Sequence, residues 1–274
     1  MKKKPLILIK YGGNAMLSER LKQSVVQNIW ELCSKGYRVV LVHGGGPFIR
    51  KMLELVEIES EFIEGHRKTT PEALRYIEMA LKGEVNGSLV GLLNEAGMKA
   101  VGLSGKDGRM VLARKRYHYS TENGQEIQHD LGQVGDVEQV DTTLLNILLE
   151  NDYLPVVTCI ASDDAGNDYN INADMFAGSL AGALQASHYL VLTDVDGLLR
   201  DIGDPSSLIR KLKLEELEPL FGSVIKGGMI PKLESCELAL RQGARSARII
   251  NGTRPESILE AVNKDKSTGT EICL

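Results

Sequence analysis

The chain has 274 residues, enough for one large domain or two lobes with a substantial core. Hydrophobic residues make up 43% and charged residues 25%, an ordinary globular mix, and the formal net charge of -5 argues against nucleic acid as a main partner. No apolar run nears the ~20 residues of a bilayer span. The basic start Lys2-Lys3-Lys4 leads into an apolar run that Lys10 ends below the ~7–15 residues of a signal-peptide core, so a cytoplasmic protein with no membrane partner is expected.

In chain order, Leu6-Ile7-Leu8-Ile9-Lys10 reads as a buried strand, followed by Gly12-Gly13 and a helical segment. In that segment Leu21, Val25, Ile29 and Leu32 recur at helical spacing, and Gly36 is its stop. Val39 to Val42 is a second buried strand, and His43-Gly44-Gly45-Gly46-Pro47 turns it into another helix. Thr70-Pro71-Glu72 has the cap, proline and acid of a helix start, with Leu74, Ile77 and Leu81 facing inward. Val85 to Ala96 reads as a separate helix closed by Gly97. From Val111 to Val140, short strand-like pieces flank Asn123-Gly124, a two-residue hairpin signal, and predict an antiparallel excursion on one edge. Alternation resumes with a helix over Thr142–Leu149, a strand over Leu154–Ile160, and a helix near Asp174–Ala186. A strand at Tyr189–Thr193, a helix near Pro231–Gln242 and a strand at Ala247–Ile250 follow. Strands alternating with helices predict an α/β fold with a mostly parallel central sheet.

Two glycine turns after buried strands, one beside Lys10, suit an anion cradle, because glycine lets backbone N–H groups approach a ligand closely. Neither the P-loop nor the dinucleotide fingerprint is present. Cys33, Cys159, Cys236 and Cys273 have no paired spacing, and the histidines form no metal pattern. His43 suits a structural hydrogen bond. Arg67, in the polar turn Gly65-His66-Arg67-Lys68-Thr69, offers a fork for a carboxylate. Asn170-Ile171-Asn172-Ala173-Asp174 opens a helix, as a plain cap or as ligand groups. Thr193-Asp194-Val195-Asp196-Gly197 ends a strand, where α/β sheets place ligands. Gly227-Gly228-Met229-Ile230-Pro231-Lys232 delivers a lysine to a helix start.

Together these pieces, with Lys10 to Met16 and Gly102-Leu103-Ser104-Gly105-Lys106-Asp107-Gly108, resemble the amino acid kinase family. They run in order from near residue 6 to Gly269-Thr270. Thr70 stands where the family commonly has Asp, a swap between two capping residues. The resemblance implies a three-layer αβα sandwich in one domain with two lobes, about 1-172 for the amino-acid substrate and about 173-274 for the nucleotide. Within the family it points to the branch that uses ATP with Mg2+ to phosphorylate the γ-carboxylate of N-acetyl-L-glutamate in arginine biosynthesis.

On that resemblance Lys10 and Lys232 act on the transferring phosphoryl group and Asp174 holds both lysines. Gly44 and Gly45 hold the acceptor, Arg67 clamps its α-carboxylate and Asn170 bonds the acyl amino acid. Gly12 and Gly13 face the phosphates. Asp194, Val195, Asp196, Gly197, Leu198 and Leu199, with Lys226, Gly227 and Gly228, hold the nucleotide. Magnesium rides on the ATP phosphates. A homodimer joined through the N-terminal lobe is implied, with apolar residues between Thr70 and Lys82 as candidate contacts. Only Met1 to Lys4 precede Pro5, which leaves no room for the extra helix of arginine-inhibited members, so weak feedback by arginine is expected. Two rivals are a kinase of a carrier-protein-linked α-aminoadipate or glutamate, drawing on Lys68, Arg75 and Arg114-Lys115-Arg116, and one acting on another N-acylglutamate such as N-succinylglutamate. A non-catalytic amino-acid sensor is a third, which the pairing of both lysines with Asp174 disfavours.

Overall fold

The computed structural model describes residues 4–63, 66–122, 125–263 and 268–274; Gly65 of the arginine turn and the Asn123-Gly124 turn lie outside them. The elements are β1 (Leu6–Tyr11), α1 (Glu19–Ser34), β2 (Arg38–His43), α2 (Gly46–Leu55), β3 (Phe62–Ile63), β4 (His66–Arg67), α3 (Pro71–Glu78), α4 (Gly87–Glu95) and β5 (Ala100–Ser104). Then come β6 (Val111–Glu122), β7 (Gln125–Val140), α5 (Thr143–Glu150), β8 (Leu154–Thr158), β9 (Ile160–Ser162), β10 (Asp168–Ile171), α6 (Ala173–Ala183) and β11 (His188–Thr193). The chain closes with β12 (Lys211–Lys213), α7 (Ile230–Arg241), β13 (Ala247–Asn251), α8 (Ser257–Val262) and β14 (Thr270–Cys273).

An eight-stranded sheet in the order β12-β14-β13-β11-β1-β2-β8-β5 forms the middle layer. Its pairings are parallel except β13 with β14. β1 is apolar along its whole length because both faces are covered. Leu6 and Leu8 pack into a core shared with α3, α6 and α7, while Ile7, Ile9 and Tyr11 pack into a second core with α1 and α4. The two cores on opposite faces make the expected three-layer sandwich.

Two expectations are corrected. Residues 71–95 are one uninterrupted helical run, not two helices, because the middle section Met79–Asn86 continues as a π-helix in place of a break. That section is stapled to β5 and the turn after it: Lys82 Nζ donates to Gly102 O at 3.1 Å and to Asp107 Oδ2 at 2.9 Å. The antiparallel excursion is also no edge of the main sheet. β6 and β7 are long strands that close a small barrel with β9 and β10. Leu74, Ile77 and Leu81 belong to the chain's own core and offer nothing to a partner, whereas Met79 is 53% exposed.

α6 and α7 pack at backbone contact. A Cβ at Gly178 would lie 2.5 Å from Ser235 O, and one at Gly182 would lie 2.4 Å from Gln242 Cβ. Glycine at these positions is what lets the two helices lie this close along their length. Gly178→Ala is expected to push the helices apart and cost about 1–3 kcal/mol, read by urea unfolding, with turnover falling alongside. Unchanged stability and turnover would show that the close approach is dispensable.

Candidate active site

β2, β5 and β8 lie on one side of β1, and β11 and β13 on the other. The chain therefore reverses its direction across the sheet at β1 and β11, and in such sheets the crevice beyond the carboxyl ends of the strands takes ligands. A cavity of about 470 Å³ opens there, lined by Lys10, Gly12 and Gly13 at the end of β1, by Gly46, Pro47 and Arg50 of α2, by Leu192 to Val195 at the end of β11, and by Gly228, Met229 and Lys232.

At its floor Lys10 Nζ lies 2.8 Å from Asp174 Oδ1, and Lys232 Nζ lies 3.2 Å from Asp174 Oδ2. Each oxygen of one carboxylate thus holds one ammonium group. Lys10 and Asp174 are buried; the Lys232 side chain retains 17% exposure. Burial pushes the Asp174 carboxyl up, but the two lysines outweigh it and hold it below the usual carboxylate range. The backbone behind this triad is fixed as well. Tyr189 Oη donates to Asp174 O at 3.2 Å and meets Ser235 Oγ at 3.1 Å, and Ser235 Oγ donates to Lys232 O at 2.7 Å. The Asn172 side chain caps α6 by accepting from the N–H groups of Asp174 and Met175.

The glycine turns meet each other. Gly44 N–H donates to Tyr11 O at 3.0 Å, so this amide is not left for a ligand. A Cβ at Gly12 would stand 3.1 Å from Lys10 Nζ, and one at Gly45 would strike Leu81 Cδ2 at 2.6 Å. A side chain at either position would displace the tip of Lys10 or Leu81. His43, just before the second turn, is fully buried, its Nδ1 2.8 Å from Gly44 O. Burial, only partly countered by the Gly44 carbonyl and reinforced by Lys82, lowers its pKa from 6.5 to about 4. Protonation therefore favours the unfolded chain. The contribution to stability is whole above about pH 6.5 and is lost as the pH falls towards 4, the loss reaching about 2 kcal/mol at pH 5. Urea unfolding of wild type and His43→Asn at pH 7 and 5 checks this: the variant should lack that part of the decline.

Arg67 lies apart, beside a second cavity of about 660 Å³ with Arg50, Glu54, Ser60 and Phe62. Its guanidinium sits 4.6 Å from the Phe62 ring centroid and donates to Ser60 Oγ. Burial and neighbouring Arg50 lower its pKa. Arg50 lines both cavities, and its place as a link between them was not legible in the sequence. Asn170 is half-buried on β10, two residues before the α6 cap.

The expected nucleotide residues divide. Asp194 and Val195 line the cavity by Lys10, while Asp196 lines a separate one of about 460 Å³ with Arg210, Arg254, Thr268 and Gly269. Gly197 packs against Thr270, and Leu198 is buried in the core with its N–H donating to Thr270 Oγ1 at 2.8 Å, so the Leu198 side chain is structural. Leu199 bridges to Leu208. Gly228 joins the cavity wall, whereas Lys226 and Gly227 stand exposed just before it. Cys159 and Cys236 are buried and free; burial pushes the Cys159 thiol up to about 11 and Cys236 higher still, which leaves neither as a thiolate.

The description "Amino acid kinase family" belongs to the family model that matches residues 5–251. An acetylglutamate kinase of Methanococcus aeolicus is 45% identical over 267 residues, 97% of this chain and 91% of that protein. The crystal structure of N-acetylglutamate synthase from Neisseria gonorrhoeae with coenzyme A and L-arginine superposes with a TM-score of 0.78 at 20% identity, covering 98% of this chain and 61% of the synthase. The chain thus spans less than two thirds of that synthase. A carbamate kinase from Giardia gives a TM-score of 0.73 at 17% identity, covering 99% of both chains. These two structures share the fold. With the sequence match running almost end to end, the chain belongs to the amino acid kinase family.

Proposed function

We propose that the chain is an acetylglutamate kinase, transferring the γ-phosphoryl group of MgATP to the γ-carboxylate of N-acetyl-L-glutamate in arginine biosynthesis. The observation that carries this is the triad in which Asp174 holds Lys10 and Lys232 at the mouth of the sheet. A carboxylate acceptor has a reference pKa near ~4.3 and is ionised at neutral pH, so it needs no general base. The obstacle is the approach of two anions, which positioning and positive charge overcome. Lys10 and Lys232 supply that charge in a partly dried cleft, and the glycine turns add backbone dipoles.

Among the described residues no cluster of His, Cys, Asp or Glu could hold a metal ion, and both Asp174 oxygens face lysines. On this reading magnesium arrives as part of the nucleotide substrate, carried by its phosphates. The nucleotide runs along the end of β11 past Asp194 and Val195 towards Asp196 and belongs to a C-terminal lobe from about residue 173. The acyl amino acid lies in the N-terminal lobe with Arg67 on its α-carboxylate, Asn170 on its acyl amide and Arg50 between the two halves. A cytoplasmic homodimer is the expected working form, and no helix of the described residues is long and apolar enough to cross a membrane.

The carrier-protein rival needs free cations around the substrate mouth. Lys115 pairs with Asp130, Arg116 with Asp136 and Lys68 with Glu61, which leaves less charge for an acidic carrier. The reading is tested by trapping the acyl phosphate with hydroxylamine across glutamate, N-acetylglutamate, N-succinylglutamate and N-acetyl-aminoadipate. Hydroxamate is expected from N-acetylglutamate; a preference for another acid, or none, overturns the assignment. Arg67→Ala should raise the KM for the acyl amino acid roughly 10–100-fold and leave that for ATP unchanged, since a charged carboxylate pair is lost. An effect confined to ATP would place Arg67 in the wrong half of the site.

A further inference from the structure

We propose that His43 is a positioning residue that locks the Gly44–Gly45 peptide with its N–H turned towards the acceptor carboxylate. The role rests on the functional reading above together with the place at the acceptor that the family resemblance implies for Gly44 and Gly45. The buried ring has two polar contacts: Nδ1 with Gly44 O at 2.8 Å, and Nε2 with Asn86 Nδ2 at 2.9 Å. A carbonyl only accepts and an amide nitrogen only donates. The neutral ring must therefore carry its hydrogen on Nδ1 and present a bare Nε2.

Asn86 is itself oriented. Its Nδ2 also donates to Val156 O at 2.9 Å, so turning the amide round would set oxygen against oxygen. A Cβ at Gly102 would lie 2.1 Å from Asn86 Oδ1, so the amide fits only because residue 102 is glycine. The π-helical section that carries Asn86 thus reaches the turn through the imidazole.

The consequence falls on one peptide. In a trans peptide the carbonyl of Gly44 and the N–H of Gly45 point in opposite directions. The ring holds the carbonyl on the buried side, and Gly44 N–H is tied to Tyr11 O at 3.0 Å. Gly45 N–H meets no acceptor among the described residues. It stands at the cap of α2, whose next residues, Gly46 and Pro47, line the cavity with Lys10 and Lys232. Two glycines in sequence leave this peptide free to rotate unless something holds its oxygen. His43 does so, and a donor fixed in advance is worth far more than one that must turn during the reaction.

Two variants separate the two ends of the ring. His43→Asn sets an amide nitrogen where Nδ1 sits and keeps the donor to Gly44 O. His43→Gln reaches the Nε2 position and leaves that carbonyl unmet. The full chain is assayed for hydroxamate formation from N-acetyl-L-glutamate, with urea unfolding of each variant and 15N NMR of the wild-type ring. The expected result is an Nδ1-protonated ring, His43→Asn turnover within about tenfold of wild type, and His43→Gln turnover down roughly hundredfold with the KM for ATP unchanged. Equal turnover in the two variants, or an Nε2-protonated ring, overturns the role. If His43→Gln fails to fold, a His43→Asn enzyme slowed more than roughly hundredfold also overturns it. A wild type that forms no hydroxamate overturns the functional reading and this role together; an active wild type with indistinguishable variants overturns the role alone.

Discussion

Lys232→Ala is expected to lower turnover by roughly a thousandfold or more while leaving the fold intact, because a cation that meets the transferring phosphoryl group acts mainly in the transition state. Its stability cost is small, since the Lys232 side chain is partly exposed and Asp174 keeps Lys10 as a partner. Lys10→Ala should lose as much turnover and also about 3–5 kcal/mol of stability, as its removal strips a buried carboxylate of its closer partner. The contrast is the informative part. Chemical denaturation should separate the two variants that the turnover assay makes alike, and near-normal turnover in either would remove that lysine from the mechanism.

Asp174→Asn is the second large effect. The substitution keeps shape but leaves two ammonium groups without the anion between them. Turnover is expected to fall roughly hundredfold because both lysines lose their common anchor. Its pH signature has a definite sign. The folded pKa of Asp174 is held below its unfolded value near ~3.9, so the ionised carboxylate stabilises the fold above that pH and its contribution is lost as the pH falls through the folded pKa. The stability gap between wild type and variant should therefore be full at pH 7, about 3 kcal/mol, and narrow at pH 3 in urea unfolding. A gap that does not change with pH would mean that the pairing contributes nothing to folding.

The strands that carry the site were legible because burial on both faces leaves no polar alternation: β1, β2, β8 and β11 are almost continuously apolar. The glycine turns and Lys10 could be read for the same reason, as they interrupt those runs at the carboxyl ends, whereas Lys232 was marked by the Gly227-Gly228 loop that opens α7. The π-helical section could not, since Gly83 and Gly87 look like breaks and only tertiary anchoring of Lys82 and Asn86 keeps the run continuous. Four-residue β14 and six-residue α8 are too short to show a period. Arg50 reads as a solvated cation on an amphipathic helix, and its position between two cavities exists only in three dimensions. Leu198 shows a different limit: it follows the strand end where ligands gather, and only the fold reveals that its side chain turns into the core.

The central claim is that the Lys10–Asp174–Lys232 site moves a phosphoryl group onto a carboxylate. The most direct measurement is 31P NMR of the wild-type chain and of Lys232→Ala, each incubated with MgATP and N-acetyl-L-glutamate. An acyl-phosphate resonance growing in step with ADP is expected for the wild type, and none on the same timescale for the variant. ADP with inorganic phosphate and no acyl phosphate, or equal acyl phosphate from both proteins, would contradict it.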